Sequence, residues 1–209
     1  MKSFLFAAAL LVVANTAAFA GTIGSWNGTP LVEGDKTYTY ISVTGTGAAG
    51  EAATTVSTAQ NAPVFTFQNS GLASLTGNVV LRYEVSITDP SKVFDLWQFN
   101  QSGILGNGGV SSSTNKIFSD AGFTTQIAGT TAMTGSTAQG GAFTSNLSHI
   151  WVEQAYNGIS ATKSIASVSL DLTQKTAPAS VPEPSTFALL GFGGLGMAVR
   201  AYRRRSSAV

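Results

Sequence analysis

The sequence predicts an all-β fold, with one β-sandwich or jelly-roll-like domain. Three observations indicate this. Apolar and polar residues alternate through residues 79–88, short runs rich in β-branched and aromatic residues recur, and Gly-, Ser- and Asn-rich turns separate them. No strong helical period occurs in residues 21–180. Short strands joined by such turns are typical of a layered antiparallel architecture.

The strand candidates follow one another through the middle of the chain. In order, they are residues 38–44, 64–67, 79–88, 93–99, 116–118, 124–128, 150–156 and 164–173. In the first, Thr39, Ile41 and Val43 are expected on one face. In the third, Arg82 and Glu84 are expected to face solvent.

Turn residues predict how some of these strands are connected. The turn at Asp89-Pro90-Ser91 predicts a hairpin of residues 79–88 and 93–99, and Asn157-Gly158 is expected to join the last two strands. Four stretches lack strand signals. Residues 21–33 are expected to form a loop, 45–62 a loop or weak edge strand, 100–115 a long mobile loop, and 129–145 another small-residue segment.

The N-terminus has the three parts of a secretory signal peptide. Lys2 supplies a positive start, residues 4–13 are apolar, and Ala18-Phe19-Ala20 is a small-x-small cleavage site. We predict cleavage after Ala20. The chain then divides into a signal peptide (residues 1–20), a secreted β domain with a terminal linker (21–180) and a C-terminal segment (181–209).

The C-terminal segment combines an extended motif, an uncharged run and a basic cluster. Two prolines hold the motif extended and remove backbone donors. At about 1.5 Å per residue, a helix over residues 187–199 covers about 20 Å of a hydrocarbon core about 30 Å thick, so a membrane span is marginal. The motif is Val181-Pro182-Glu183-Pro184, and the predicted stop-transfer arginines are Arg200, Arg203, Arg204 and Arg205.

This tail resembles the PEP-CTERM sorting signal, in which the same three parts close the chain. The resemblance implies recognition of residues 181–184 by an exosortase, an integral-membrane processing enzyme, after transient insertion in the inner membrane. It implies a protein of Gram-negative bacteria that make exopolysaccharide, placed at the outer surface or in the matrix. The alternative is an ordinary C-terminal anchor with an accidental Pro-Glu-Pro.

Composition excludes several classes of function. Residues 21–180 contain six Lys or Arg and nine Asp or Glu, so this part has a net charge of −3, which argues against a nucleic-acid partner. The chain has no cysteine, so disulfides and thiolate chemistry are absent. We expect no metal and no cofactor.

No residue pattern marks an active site, and we predict that the protein is not an enzyme. His149 is the sole histidine, and no Gly-x-Ser-x-Gly nucleophile motif occurs. A hydrolase would need a pair of acids, for which Asp95, Glu153 and Asp171 are available without one pair standing out.

The tryptophans raise a binding hypothesis. Trp26, Trp97 and Trp151 could stack on sugar rings if they face outward, whereas large aromatics in strands usually belong to the core. Three functions therefore stay open. The leading one is a structural or adhesive surface protein, the second is a carbohydrate-binding module for the cell's own polysaccharide, and the third is a secreted hydrolase.

Overall fold

The computed structural model describes residues 20–46, 54–61, 64–70, 77–105, 112–159 and 164–178. Contacts divide the chain into two units, residues 1–177 and 178–209, and the described residues lie almost entirely in the first. The predictions for Ala18, for residues 181–184, for the helix over 187–199 and for the four arginines fall outside the described residues. Within those ranges, no helix is long and apolar enough to cross a membrane.

The described residues form strands throughout, with one short helix. In chain order the elements are β1 (Ala20–Thr22), α1 (Ile23–Trp26), β2 (Leu31–Glu33), β3 (Lys36–Gly45), β4 (Thr55–Asn61), β5 (Val64–Ser70), β6 (Gly77–Ile87), β7 (Lys92–Leu105), β8 (Ser112–Phe118), β9 (Gln126–Gly129), β10 (Met133–Thr134), β11 (Thr137–Ala142), β12 (His149–Ile159) and β13 (Ser164–Thr176).

The strands form two antiparallel sheets, which confirms the all-β prediction. The first sheet has the order β1-β4-β5-β13-β7-β11. The second has the order β10-β8-β12-β6-β3-β2, with β9 beside β8. One hydrophobic core draws buried side chains from both sheets, as in a β-sandwich.

The core follows from the period-two pattern of the strands. In β6, Leu81, Tyr83 and Val85 are fully buried while Arg82 and Glu84 point outward, as predicted. The ring centroids of Phe67, from the first sheet, and Tyr83, from the second, lie 4.6 Å apart. Aromatic contacts therefore join the two layers directly.

Residues 21–33 are more ordered than the predicted loop. They contain the last two residues of β1 and all of α1 and β2, and α1 carries Ile23 and Trp26 into the core. Thr22 caps this helix, because its Oγ1 accepts a hydrogen bond of 3.1 Å from the Ser25 amide. The capped turn fixes the direction in which the Trp26 side chain enters the sandwich.

The predicted hairpin of residues 79–88 and 93–99 is wrong. β6 belongs to the second sheet and β7 to the first, so the turn at residues 89–91 carries the chain from one layer to the other. A turn sequence specifies a change of direction without specifying which strand will be the neighbour. The expected join at Asn157-Gly158 is also wrong, because β12 continues to Ile159 and β13 lies in the other sheet.

Three small-residue stretches contain strands that the sequence did not indicate clearly. β7 and β8 occupy both ends of residues 100–115, so the predicted long loop is wrong. β4 is an inner strand between β1 and β5, and β10 and β11 lie within residues 129–145.

In β3, a register shift between Tyr40 and Ser42 breaks the predicted single face of Thr39, Ile41 and Val43, and Ile41 is exposed.

Candidate functional site: a groove on the first sheet

The outer face of the first sheet, which points away from the core, carries mostly uncharged polar and small side chains around Asp171. Strand register places Thr66 of β5 beside Asp171 of β13, Asp171 beside Gln98 of β7, and Gln98 beside Gly140 of β11. The neighbouring row contains Ser169, Asn100 and Ala138 in the same way. Four strands that are distant in sequence therefore build one surface.

A groove with a volume of about 560 Å³ runs along this face. The small residues of β11 form one side of it, and Leu96 is 46% exposed beside them. A Cβ atom at Gly140 would lie 2.5 Å from the Trp97 carbonyl oxygen, so this close approach of β11 to β7 requires glycine. The lining residues are Val64, Leu96, Trp97, Gln98, Gly140, Gly141, Ala142, Asp171 and Thr173.

The Asp171 carboxylate is held in place by two neighbours. Its Oδ1 accepts a hydrogen bond of 2.7 Å from Thr66 Oγ1, and its Oδ2 accepts one of 2.7 Å from Asn100 Nδ2. Gln98 Nε2 in turn donates to Asn100 Oδ1 at 2.6 Å. An ionised carboxylate has about four lone-pair sites, so Asp171 can accept further hydrogen bonds in the groove. This arrangement fixes the orientation of the Asp171 carboxylate and leaves it able to accept hydrogen bonds from a ligand.

The charge of the lining suits a ligand without negative charge. Among the described residues of the lining, Asp171 is the one ionisable side chain, and none is Lys or Arg. A phosphate or carboxylate ligand would meet repulsion there, whereas a neutral hydroxyl group could donate to Asp171. Thr173 Oγ1 accepts from the Leu96 amide at 3.0 Å, which leaves its own O–H free to donate.

The three tryptophans do not form one aromatic strip. Trp26 is fully buried and its Nε1 donates to the Tyr38 carbonyl at 3.0 Å, so the sugar-stacking hypothesis does not hold for it. Trp97 lines the groove but is only 9% exposed and packs near Phe99. Trp151 is half-buried and faces outward on the second sheet, where its ring is stacked with His149.

The three acids proposed for a hydrolase are also separated. Asp95 is paired with Lys175 at 3.1 Å. Glu153 lies on the second sheet, between Arg82 at 2.6 Å and Lys116 at 3.4 Å. Asp171 alone is in the groove. Because Glu153 and Asp171 are on different sheets, they cannot flank one bond.

By residue type, His149, the sole histidine of the sequence, could also be a metal ligand. His149 Nδ1 is 2.9 Å from Glu84 Oε1 at the exposed end of β12. In the part of the chain that the structure describes, no group of three or more His, Asp or Glu side chains is placed to hold a metal ion.

The C-terminal residues of the chain match a known protein-sorting motif. Residues 180–205 match the family model of the PEP-CTERM protein-sorting motif. The chain carries a PEP-CTERM sorting motif. The motif indicates a protein that is exported and sorted through an exosortase in Gram-negative bacteria. No curated protein matches the sequence.

The fold of this PEP-CTERM protein is similar to several solved carbohydrate-binding modules. One is a CBM4 module, with a TM-score of 0.33 and 8% identity over 74% of this chain and 98% of that one. A family 29 module complexed with mannohexaose gives 0.31 and 6%, over 76% and 93%. A CBM61 module in complex with β-1,4-galactotriose gives 0.26 and 10%, over 75% and 94%. At TM-scores this low, no residue role or ligand is transferred from them.

Sequence reasoning missed most of the groove. Leu96, Gln98 and Asn100 alternate with buried Trp97 and Phe99, and this period-two pattern in β7 does identify an outward-facing row. Nothing local indicates that β13 lies on one side of this row and the Gly-rich β11 on the other. The site depends on long-range pairing.

Proposed function

We propose that the β domain of this exported protein binds a neutral polysaccharide in the groove of the first sheet. The observation that carries the proposal is the oriented Asp171 carboxylate in the same groove as exposed Leu96, where none of the lining residues that the structure describes is a cation. Binding of this kind would give an adhesive role in the exopolysaccharide matrix. The sequence alone favours a structural or adhesive role in the matrix, with polysaccharide binding as the alternative.

The groove has the two chemical properties that a sugar ring requires. Leu96, Val64 and Ala142 supply apolar surface for the C–H faces of a ring. Asp171, Gln98 and Thr173 supply acceptors and donors for hydroxyl groups that lose water on binding. Its volume of about 560 Å³ is in the range of about 300–1,000 Å³ that is usual for small-molecule sites.

The sorting motif supports the view that the protein meets polysaccharide outside the inner membrane. An exported chain meets extracellular polymers after processing at the inner membrane, and a matrix polysaccharide made by the same cell is the nearest abundant one. We therefore place the mature protein at the cell surface or in the matrix, released from its C-terminal segment. We expect no hydrolysis of the bound polymer.

Co-sedimentation of the purified protein with the cell's own exopolysaccharide tests the proposal. Leu96→Ala and Asp171→Asn should each weaken binding by about tenfold, which corresponds to about 1.4 kcal/mol. Val32→Ala and Glu84→Gln are matched controls, because Val32 is exposed and both residues lie on the second sheet. Both controls should bind like the wild type.

Other outcomes would overturn parts of the proposal. Unchanged binding by both groove variants would exclude the groove, and loss of binding in Trp151→Ala would move the site to the second sheet. A wild-type protein that stays in the matrix without binding its polysaccharide would support a purely structural role. Shortening of the polymer chains during incubation would restore the hydrolase hypothesis.

A further inference from the structure

Lys36 is a fully buried lysine at the first position of β3. Its side chain has 0% exposure and points to the inner side of the sheet, like Tyr38 two residues later. Lysine is almost never fully buried without a partner, because the ammonium group loses its hydration. The proposed binding function makes no use of this residue.

Three groups surround the Lys36 amine. Its Nζ is 2.6 Å from Asp35 Oδ1, donates a hydrogen bond to Gln174 Oε1, and lies 3.8 Å from the centroid of the Phe65 ring. Asp35 belongs to the turn between β2 and β3, and Gln174 belongs to β13 in the first sheet. An amine from one sheet therefore contacts an amide from the other, next to a carboxylate.

Burial makes the Lys36 ammonium easier to deprotonate than an exposed one. Burial lowers the pKa of Lys36, an effect that Lys92 reinforces and that Asp35 and Asp89 partly offset. Only a neutral amine is a nucleophile, and desolvation in an apolar pocket is a known way to activate lysine. Asp35 is within hydrogen-bond distance to accept a proton from Nζ.

We propose that Lys36 and Gln174 form an intramolecular amide cross-link. Lys36 Nζ attacks Gln174 Cδ, a new Nζ–Cδ bond forms, and the Cδ–Nε2 bond breaks with release of ammonia. Asp35 accepts a proton from Nζ and returns it to the departing nitrogen. Because the step exchanges one amide for another, it needs no oxidant, metal or cofactor. Proximity of the fixed groups supplies most of the rate advantage.

The cross-link would join distant parts of the chain. Lys36 and Gln174 are 138 residues apart, and they connect the second sheet to the strand that precedes the sorting segment. A covalent closure of such a long loop restricts the unfolded chain as a disulfide does. This exported protein has no cysteine, so a disulfide cannot close this loop, whereas an amide between Lys36 and Gln174 can.

Peptide mass spectrometry of the full chain, isolated from cells and digested with a glutamate-specific protease, tests the proposal. The fragments that contain Lys36 and Gln174 should appear as one species, lighter than their sum by about 17 Da, the mass of ammonia. Lys175→Met is the matched control, because it removes an exposed lysine next to Gln174 and should keep the cross-link. Lys36→Met should abolish it, and Asp35→Asn should slow its formation at least tenfold.

The wild-type measurement decides the proposal without depending on the folding of a variant. Separate Lys36 and Gln174 fragments, each with the mass expected from the sequence, would overturn it. A linked species that forms equally fast in Asp35→Asn would overturn the proton-transfer role given to Asp35. Because the readout is a mass, it is independent of polysaccharide binding.

Discussion

Asp120 organises the turn after β8 through both of its carboxylate oxygens. Oδ1 accepts from the amides of Gly122 at 3.0 Å and Thr124 at 3.2 Å, and Oδ2 accepts from the Thr125 amide at 2.7 Å. The turn presents Phe123, which has a positive φ of 55°, with the Arg82 guanidinium 4.6 Å from its ring. One exposed carboxylate therefore supports a conformation that non-glycine residues rarely adopt.

The pKa of Asp120 gives a pH prediction for this turn. Hydrogen bonds, first of all from the Thr125 amide, lower the pKa of Asp120 below its ordinary value of 3.8. The ionised Asp120 carboxylate stabilises the turn fully above pH 3.8, its ordinary pKa. This stabilisation is lost as the pH falls through the lowered pKa of the folded protein. Hydrogen exchange at the Thr125 amide should accelerate, relative to the intrinsic rate, on acidification over that window. Asp120→Asn should lose this acid dependence, and equal profiles in both proteins would contradict the assignment.

Trp26 and Trp151 differ in burial, so their replacement by alanine should lower the free energy of unfolding by different amounts. Trp26→Ala should lower the free energy of unfolding by about 3–5 kcal/mol, because it leaves a cavity in the core. Trp151→Ala, on the outer face, should cost about 1 kcal/mol. Urea unfolding followed by far-ultraviolet circular dichroism measures both without a tryptophan signal. Equal losses would contradict the placement of Trp26.

At the scale of the element, β11 contains two adjacent glycines, of which only Gly140 is required by the packing. A Cβ at Gly140 would lie 2.5 Å from a backbone oxygen, whereas one at Gly141 would lie 3.5 Å from the Trp97 ring, an ordinary contact. Gly140→Ala should destabilise the protein by about 1–3 kcal/mol through overpacking. Gly141→Ala is the control and should be nearly neutral. Thermal unfolding compares them, and equal melting temperatures would contradict the close approach.

Strands with a strong amphipathic pattern could be predicted from the sequence. β6 alternates buried Val, Leu, Tyr and Ile with outward residues that are polar except for Val80, so its existence and faces follow from local pattern alone. β4 and β11 consist of Thr, Ser, Ala, Gln, Asn and Gly apart from Val56, a composition also typical of loops. Their strand structure comes from pairing with β5 and β7, which no local signal specifies.

The candidate site was less predictable than the strands for the same reason. The residue type of Trp97 suggests a sugar-stacking role, yet the exposed apolar group and the carboxylate of the groove come from Leu96 of β7 and Asp171 of the neighbouring β13. The error at residues 89–91 has a related cause. Ser91 donates to Asp89 there as in many hairpin turns, while the partner strand is chosen by the burial of whole faces.

At the scale of the whole molecule, the sorting motif predicts how the protein leaves the inner membrane. Glu183 is the one acidic residue of the motif and stands between two prolines. Glu183→Ala should leave the C-terminal segment attached and the protein in the inner-membrane fraction. Intact mass and cell fractionation measure this, with Ser185→Ala as the control. Normal release of the Glu183 variant would contradict its recognition role.

The position of β13 has a consequence for the timing of secretion. β13 is the last of the described strands in sequence but lies in the middle of the first sheet, between β5 and β7. A chain that crosses the inner membrane from its N-terminus can form only two separate fragments of this sheet until residues 164–176 emerge. Non-local pairing of this kind is slow, and the apolar faces stay open meanwhile. We therefore expect the domain to remain a client of periplasmic chaperones until translocation is nearly complete.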